Sequence, residues 1–278
     1  MNKIILSVIA ALSVSLIGCG GQDNGGQDNV TIVPHWSPND VKVSCPSGDC
    51  PQGVGAIVFV ENMDDGYKVG RCTATLIAPD QVLTNSHCGK DLDYQAAYFF
   101  TRVNSQTVFY TLQDRIFDRQ DITYAKGPDV GMGGDLSIFS LKQSVNSLQP
   151  RKVSRRIPAD MSQLVAYVIN EDGSTKNFTD LSLDRLACST VAHEATHSGG
   201  VNDLALGLLL ECSIVAGNSG SPVFTAGNFS EVQVVVNSGV DASTLWGSES
   251  FGFGNRVQCM DIPGQPTPEK ICPRAYLQ

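Results

Sequence analysis

"CTATLIAPDQVLTNSHC", Cys72 to Cys88, consists of two short runs of strand-forming residues on either side of Pro79-Asp80. Threonine, leucine, isoleucine and valine fill the runs, and the proline–aspartate pair marks a turn between them. The second run ends in Thr84-Asn85-Ser86-His87, so a histidine stands just before the closing cysteine. The same pattern repeats outward in both directions. "VGAIVFVEN", "YQAAYFFTRV", "TVFYTL" and "DLSIFSLK" share the first half of the chain with it. After Pro150 come "QLVAYVIN", "RLACSTVA", "LALGLLLECS", "SPVFTAG", "VQVVVNSG" and "FGFGNRV". Turn residues separate most of these runs, and no long amphipathic helix stands out. Many short strands at near-regular spacing make an all-β fold, either a sandwich or barrels. The polar stretch around 142–160, "KQSVNSLQPRKVSRRIPAD", is suited to joining two halves.

With 278 residues the chain has room for one large or two small domains. A hydrophobic fraction of 42% and a charged fraction of 17% supply a core and exclude a disordered chain. The formal charge of -9 repels phosphate backbones, which argues against nucleic acid as a partner.

The first residues read as an address. "MNKIILSVIAALSVSLIGC" has a basic start at Lys3, an apolar run from Ile4 to Ile17, and Leu16-Ile17-Gly18 before Cys19. The run has signal-peptide proportions and is short for a membrane span. It resembles a bacterial lipoprotein signal, in which the cysteine is acylated and becomes the new N-terminus. An ordinary secretory signal containing a cysteine is the alternative. The lipoprotein reading makes 1–18 the signal and Cys19 the lipidation site. It anchors the protein in the bacterial cell envelope, with outer-membrane sorting the default because Gly20 follows. "GGQDNGGQDN", 20–29, is a tandem pentapeptide without an apolar residue. It reads as a flexible tether with a reach of about 15–20 Å. The tether is taken to extend through the Pro-, Ser- and Asp-rich residues up to 53. The folded domain is then expected over 54–260, with a Pro-rich tail at 261–278.

Three blocks carry the chemistry: the His87 block, "DLSIFSL" from Asp135 to Leu141, and "GNSGSPVF" from Gly217 to Phe224. Together they resemble the chymotrypsin-like (trypsin-fold) serine proteases, in particular bacterial members including glutamyl endopeptidases. Those members read T-A-A-H-C or T-N-x-H, D-I-A-L-L, and G-D/N-S-G-S/G-P. The order histidine, aspartate, serine is that family's order; subtilisins and α/β-hydrolases arrange the residues differently. The resemblance covers roughly 54–258. It implies two six-stranded antiparallel Greek-key barrels, about 54–145 and 146–260, with the active site in the cleft between them.

It also implies roles. A serine hydroxyl is a poor nucleophile until a base removes its proton. Ser219 is the implied nucleophile, His87 its base, and Asp135 the carboxylate that orients the imidazole. The backbone N–H groups of Gly217 and Ser219 form the implied oxyanion hole, and Gly217 and Gly220 suit the tight turn. No metal or cofactor is called for. The partners are polypeptide substrates and a membrane lipid, and the expected state is monomeric.

Two departures from the family matter. Digestive relatives carry an aspartate before the nucleophile, which pairs with a newly cut N-terminal ammonium. Asn218 stands here and cannot form that ion pair, so activation by N-terminal insertion is not expected. Asn85 and Ser86 replace the paired alanines common before the histidine, as T-N does in glutamyl endopeptidases. For specificity, Ser213 occupies the position of the aspartate that binds basic side chains in trypsins. "VVVNSGV", 234–240, lacks the histidine used for glutamate. Asn237, Ser238 and Gly239 are expected to form one pocket wall and the substrate-pairing strand. A neutral, medium-sized residue is the default preference.

Of the nine cysteines, eight remain once Cys19 carries lipid, enough for four disulfides in an exported protein. The family bridges the positions of Cys72 and Cys88. Cys188 with Cys212 would brace the second barrel, leaving Cys45–Cys50 and Cys259–Cys272.

"HEATHSGGVND", 193–203, matches the zinc-binding pattern H-E-x-x-H. The pattern needs a helix, whereas "RLACSTVA" upstream favours strand and Gly199-Gly200 breaks a helix. His193 and His197 are therefore expected in an exposed loop, with metal binding as the lesser alternative. His35 has no evident role. An inactive protease-like binding protein and a zinc endopeptidase remain the other classes.

Overall fold

The apolar run Val54 to Val60 does not alternate with polar residues, as a strand with one wet face does. The computed structural model shows both faces covered. It describes residues 30–89, 93–119, 135–154, 158–159, 161–171, 177–190, 207–215, 217–241, 250–257, 260–261 and 270–271. In chain order, β1 is Val30–Val33, β2 Lys42–Ser44, β3 Val54–Met63, β4 Gly66–Ala78 and β5 Gln81–Thr84. They are followed by β6 Ala96–Val103, β7 Gln106–Asp118 and β8 Ser137–Leu141. The second half contains β9 Lys152–Val153, β10 Gln163–Glu171, β11 Asp180–Thr190 and β12 Gly207–Glu211. Then come β13 Pro222–Thr225, β14 Asn228–Asp241 and β15 Ser250–Arg256. A small hairpin, β16 Met260–Asp261 with β17 Lys270–Ile271, stands apart.

Strands β4-β3-β6-β7-β8-β5 form a ring that the β4–β5 pairing closes, and every pair in it is antiparallel. Strands β11-β10-β13-β14-β15-β12 form a second ring in the same order, closed by the β11–β12 pairing. Closure removes the free edges of each sheet. The protein is therefore all-β, with two six-stranded antiparallel barrels.

Side-chain alternation sorts each strand between two cores. Ile57 and Phe59 pack with Cys72, Ala74, Leu76, Phe99 and Phe139 inside the first barrel. Val54, Ala56, Val58 and Val60 turn the other way. There they meet Val165, Tyr167, Ile169, Phe224 and Val235 of the second barrel. Leu164, Ala166, Val168, Val223, Val234 and Val236 fill the second barrel's interior. The layer between the barrels thus explains why the sequence reads as solid apolar runs.

The tether expectation needs correction over 30–53. Strand β1 pairs antiparallel with β4, and β2 pairs in parallel with β11, so this segment is fastened to both barrels. Val33, Trp36, Val41 and Val43 are buried in the shared layer. The Trp36 ring meets Tyr98 and Phe100 at 5.7 and 6.3 Å. The polar residues around these four disguised an apolar set large enough to pack. The signal, Cys19 and residues 20–29 lie outside the described residues.

Disulfides join Cys45 to Cys50, Cys72 to Cys88 and Cys188 to Cys212. Cys259 and Cys272 lie outside the described residues, as do His193, His197 and the motif around them.

Candidate active site

The end of β5 runs straight into Asn85-Ser86-His87, and the Cys72–Cys88 disulfide ties this turn back to β4. Polar side chains fix the turn from several sides. The Asn85 amide donates to the Asp135 carbonyl at 2.7 Å, and Ser137 Oγ donates to the Asn85 carbonyl at 2.9 Å. Ser86 Oγ donates to Asp118 Oδ1 at 2.6 Å, and Arg115 Nη1 donates to Asp118 Oδ2 at 2.8 Å. The Arg115 guanidinium also lies over the Phe139 ring.

Asp135 precedes β8, whose pairing with β5 brings it beside the histidine. Its carboxylate is 4% exposed, and burying such a charge costs several kcal/mol unless partners satisfy it. Both oxygens find donors: Oδ1 accepts the His87 backbone N–H at 2.8 Å, and Oδ2 contacts His87 Nδ1. The imidazole is thereby held through Nδ1. Its other nitrogen, Nε2, is buried and has no hydrogen-bond partner among the described residues.

Ser219 sits in the turn between β12 and β13, docked against the first barrel. Its carbonyl accepts the Thr73 N–H at 2.7 Å. The Gly220 N–H donates to the Val236 carbonyl at 2.9 Å and to Asn85 Oδ1. Gly220 has φ +84°, and a Cβ there would overlap the Thr73 carbonyl and Thr84 Oγ1. Only glycine permits this approach of the turn to β4. Asn218 Oδ1 accepts the Val215 N–H at 3.0 Å, and Nδ2 donates to Asn170 Oδ1 at 3.0 Å. The N–H groups of Gly217 and Ser219 donate to no described residue.

The structure brings His87 and Asp135 into direct contact and sets the Ser219 turn against β4 and Asn85. It does not join Ser219 Oγ to His87: the hydroxyl donates to the Asn237 carbonyl at 2.7 Å. Ser213 is exposed ahead of the turn, and Asn237 is buried. Ser238 and Gly239 lie in β14 opposite Phe253 and Gly252 of β15. His87 also stands near Cys72 and Cys88, but their sulfurs are consumed by the disulfide and offer no metal a thiolate.

Sequence reasoning missed four contributors. Asn85 appeared only as a departure from alanine, yet it links all three blocks. Asp118 with Arg115 supports the turn through Ser86, and charged residues closing a strand were the available signal. Arg71 of β4 is 7% exposed and reaches under the serine turn to donate to the Gly217 carbonyl at 3.3 Å.

Comparison with known proteins agrees with the two-barrel fold. The trypsin family model matches residues 57–258, well over half of the chain. No curated protein matches the sequence. Among solved structures, the chain is similar to a thermostable serine protease, AL20, from an extremophilic microorganism. That match is 14% identical with a TM-score of 0.50, covering 74% of this chain and 91% of the other. HL collagenase is also 14% identical, with a TM-score of 0.52, covering 74% of this chain and 88% of the other. At such identity the likeness is one of fold.

Proposed function

The chain belongs to the trypsin family of serine endopeptidases, and from that premise we propose that His87, Asp135 and Ser219 hydrolyse peptide bonds through an acyl-enzyme. The observation that carries this reading is the His87 ring itself. Nδ1 is engaged by the buried Asp135 carboxylate, while Nε2 has no hydrogen-bond partner among the described residues. An imidazole held in that way is poised to take a proton at Nε2.

The first step is a rotation of the Ser219 side chain, which releases the Asn237 carbonyl and turns Oγ toward Nε2. Catalytic hydrogen bonds are commonly completed only when substrate binds. Oγ then attacks the scissile carbonyl carbon as its proton passes to Nε2. Asp135 stabilises the imidazolium without taking the proton. The new oxyanion is received by the Gly217 and Ser219 N–H groups, which have no competing acceptor among the described residues. Collapse breaks the C–N bond, and the imidazolium protonates the leaving amine. Water, deprotonated by His87, attacks the acyl carbon and regenerates Ser219.

The finer placement follows the sequence motifs. Cys19 is read as the lipidated residue, holding the protease in the bacterial envelope on a short polar leash. The bacterial, glutamyl-endopeptidase-like branch rests on Thr84-Asn85 before the histidine and Asn218 before the serine. Asn237, Ser238 and Gly239 form the reading's substrate-pairing strand, and Ser213 the floor position. The absence of a charged residue there favours neutral side chains.

A fluorophosphonate probe tests the mechanism. Wild-type protein is expected to be labelled covalently at Ser219, and Ser219→Ala to remain unlabelled while keeping its thermal melt. Equal labelling of the two, or a folded wild type that never reacts, overturns the assignment.

A further inference from the structure

Arg71 is the residue of the serine turn's surroundings that the mechanism leaves unused. It lies on β4, opposite Val58 of β3, and is buried between the barrels. Nη1 donates to the Ile169 carbonyl at 2.8 Å and to the Gly217 carbonyl at 3.3 Å. The guanidinium also stands 5.3 Å from the centre of the Phe178 ring. No carboxylate lies within ion-pair distance of it among the described residues. Burial pushes its pKa down and the more distant Glu171 charge pushes it back up. An arginine remains charged through such a shift.

A buried cation held by carbonyls and a ring face is a costly way to fill space, since a methionine would fill it without desolvation. Its geometry indicates another use. Gly217 has φ +92°, and a Cβ on it would lie 2.5 Å from Arg71 Nη1 and 2.7 Å from Nη2. The guanidinium therefore occupies the space beneath Gly217 as well as binding its carbonyl. The next residue, Asn218, donates to the same Ile169 carbonyl at 3.4 Å. Arg71 and Asn218 thus meet at one acceptor on β10, and both act on the segment that carries the two candidate oxyanion N–H groups.

We propose that Arg71 is a positioning residue for the oxyanion hole, setting the Gly217–Ser219 turn in its working shape with an internal cation. In the digestive relatives an aspartate and a freshly cut N-terminus meet at this turn. Here the acid is replaced by Asn218, and the positive charge comes from a strand that is in place once the barrel has folded. The turn then needs no inserted N-terminus to take its shape. This inference rests on the proposed roles of Ser219 and the Gly217 and Ser219 N–H groups.

The test uses the full chain, with the rate of fluorophosphonate labelling as readout and a circular-dichroism melt as the check on folding. Arg71→Ala and Arg71→Met are expected to label at least ~10-fold more slowly, approaching the ~10²–10³ loss seen when an oxyanion donor is removed outright. Arg71→Lys is expected to recover part of the rate. Millimolar guanidinium chloride, but not equal sodium chloride, is expected to accelerate Arg71→Ala; a merely structural role does not produce that rescue. Should Arg71→Ala fail to fold, Arg71→Met and Arg71→Lys carry the comparison. Folded variants that label at the wild-type rate, or a loss that neither lysine nor guanidinium relieves, overturn the proposal while Ser219 remains the nucleophile. A wild type that does not label at Ser219 overturns the functional reading and this inference with it.

Discussion

Asn85 Oδ1 accepts the backbone N–H of Gly220, so the residue two before the candidate base holds the residue next to the candidate nucleophile. The same amide donates to the Asp135 carbonyl at 2.7 Å. One buried side chain therefore joins segments 50 and 135 residues away in the chain. Asn85→Ala leaves the Asp135 carbonyl without this donor and loosens the serine turn. The expected loss of stability is about 1–3 kcal/mol, the usual cost of leaving buried polar groups unpaired. Labelling of Ser219 is expected to slow more than the melting temperature alone accounts for. Titration with urea alongside the labelling rate separates the two effects, and an unchanged rate in a stable variant contradicts the linking role.

Asp135→Asn separates orientation from charge. Asparagine can still accept the His87 backbone N–H through Oδ1, so the turn is expected to keep its shape. At the other position the amide faces Nδ1 with a donor and favours the wrong imidazole tautomer. A fall in turnover of about 10³–10⁴ is expected, with substrate binding nearly unchanged. Steady-state kinetics on a cleaved peptide measure it, and a loss below about tenfold shows that the carboxylate does not serve the base.

The three candidate blocks stand out in the sequence because nucleophilic chemistry restricts their residue types and their order is that of one family. His87 beside a cysteine, Asp135 opening a strand and Ser219 between glycines stand out in a linear reading. The two-barrel fold was legible as short apolar runs, although their burial on both faces hid the alternation that separates Ile57 from Val58. Residues 30–53 were misread because Trp36 and three valines are spaced irregularly among polar residues. Their packing depends on surfaces built by β4, β6 and β11, which no local pattern reveals. Arg71 was invisible for a related reason: its acceptors at 169 and 217 come from the other barrel. A charged residue inside "VGRCTATLIA" was the only hint.

Gly220 and Gly227 offer an internal comparison of glycine costs. Both have positive φ, +84° and +81°. Around Gly227 a Cβ meets nothing within 4 Å, whereas at Gly220 it meets the backbone of Thr73 and the side chain of Thr84. Gly227→Ala is therefore expected to cost only the left-handed penalty, about 1–2 kcal/mol. Gly220→Ala adds overpacking against the backbone of β4, for a total of roughly 2–5 kcal/mol. Denaturant melts of the two variants give the ratio directly; equal losses show that the serine turn yields more easily than its contacts suggest.

Alkaline stability provides a check on the layer between the barrels. Tyr167 is fully buried there, and its hydroxyl donates to the Asp49 carbonyl at 3.2 Å. Burial is the main cause that raises its pKa above the ordinary value of 10.0, with the Asp49 charge adding to it and Arg185 opposing it. Between the unfolded and folded values the unfolded chain has lost the phenol proton while the native protein keeps it. Stability thus falls as pH rises through that window, and this contribution is intact below the unfolded value. Tyr167→Phe removes the titration together with one hydrogen bond, at a cost of about 1 kcal/mol near neutrality. The wild type's advantage is expected to shrink above about pH 10. Melting temperatures of the pair across neutral to alkaline pH measure the difference. A gap that stays constant, or widens, shows that the Tyr167 proton is not coupled to the docking of the barrels.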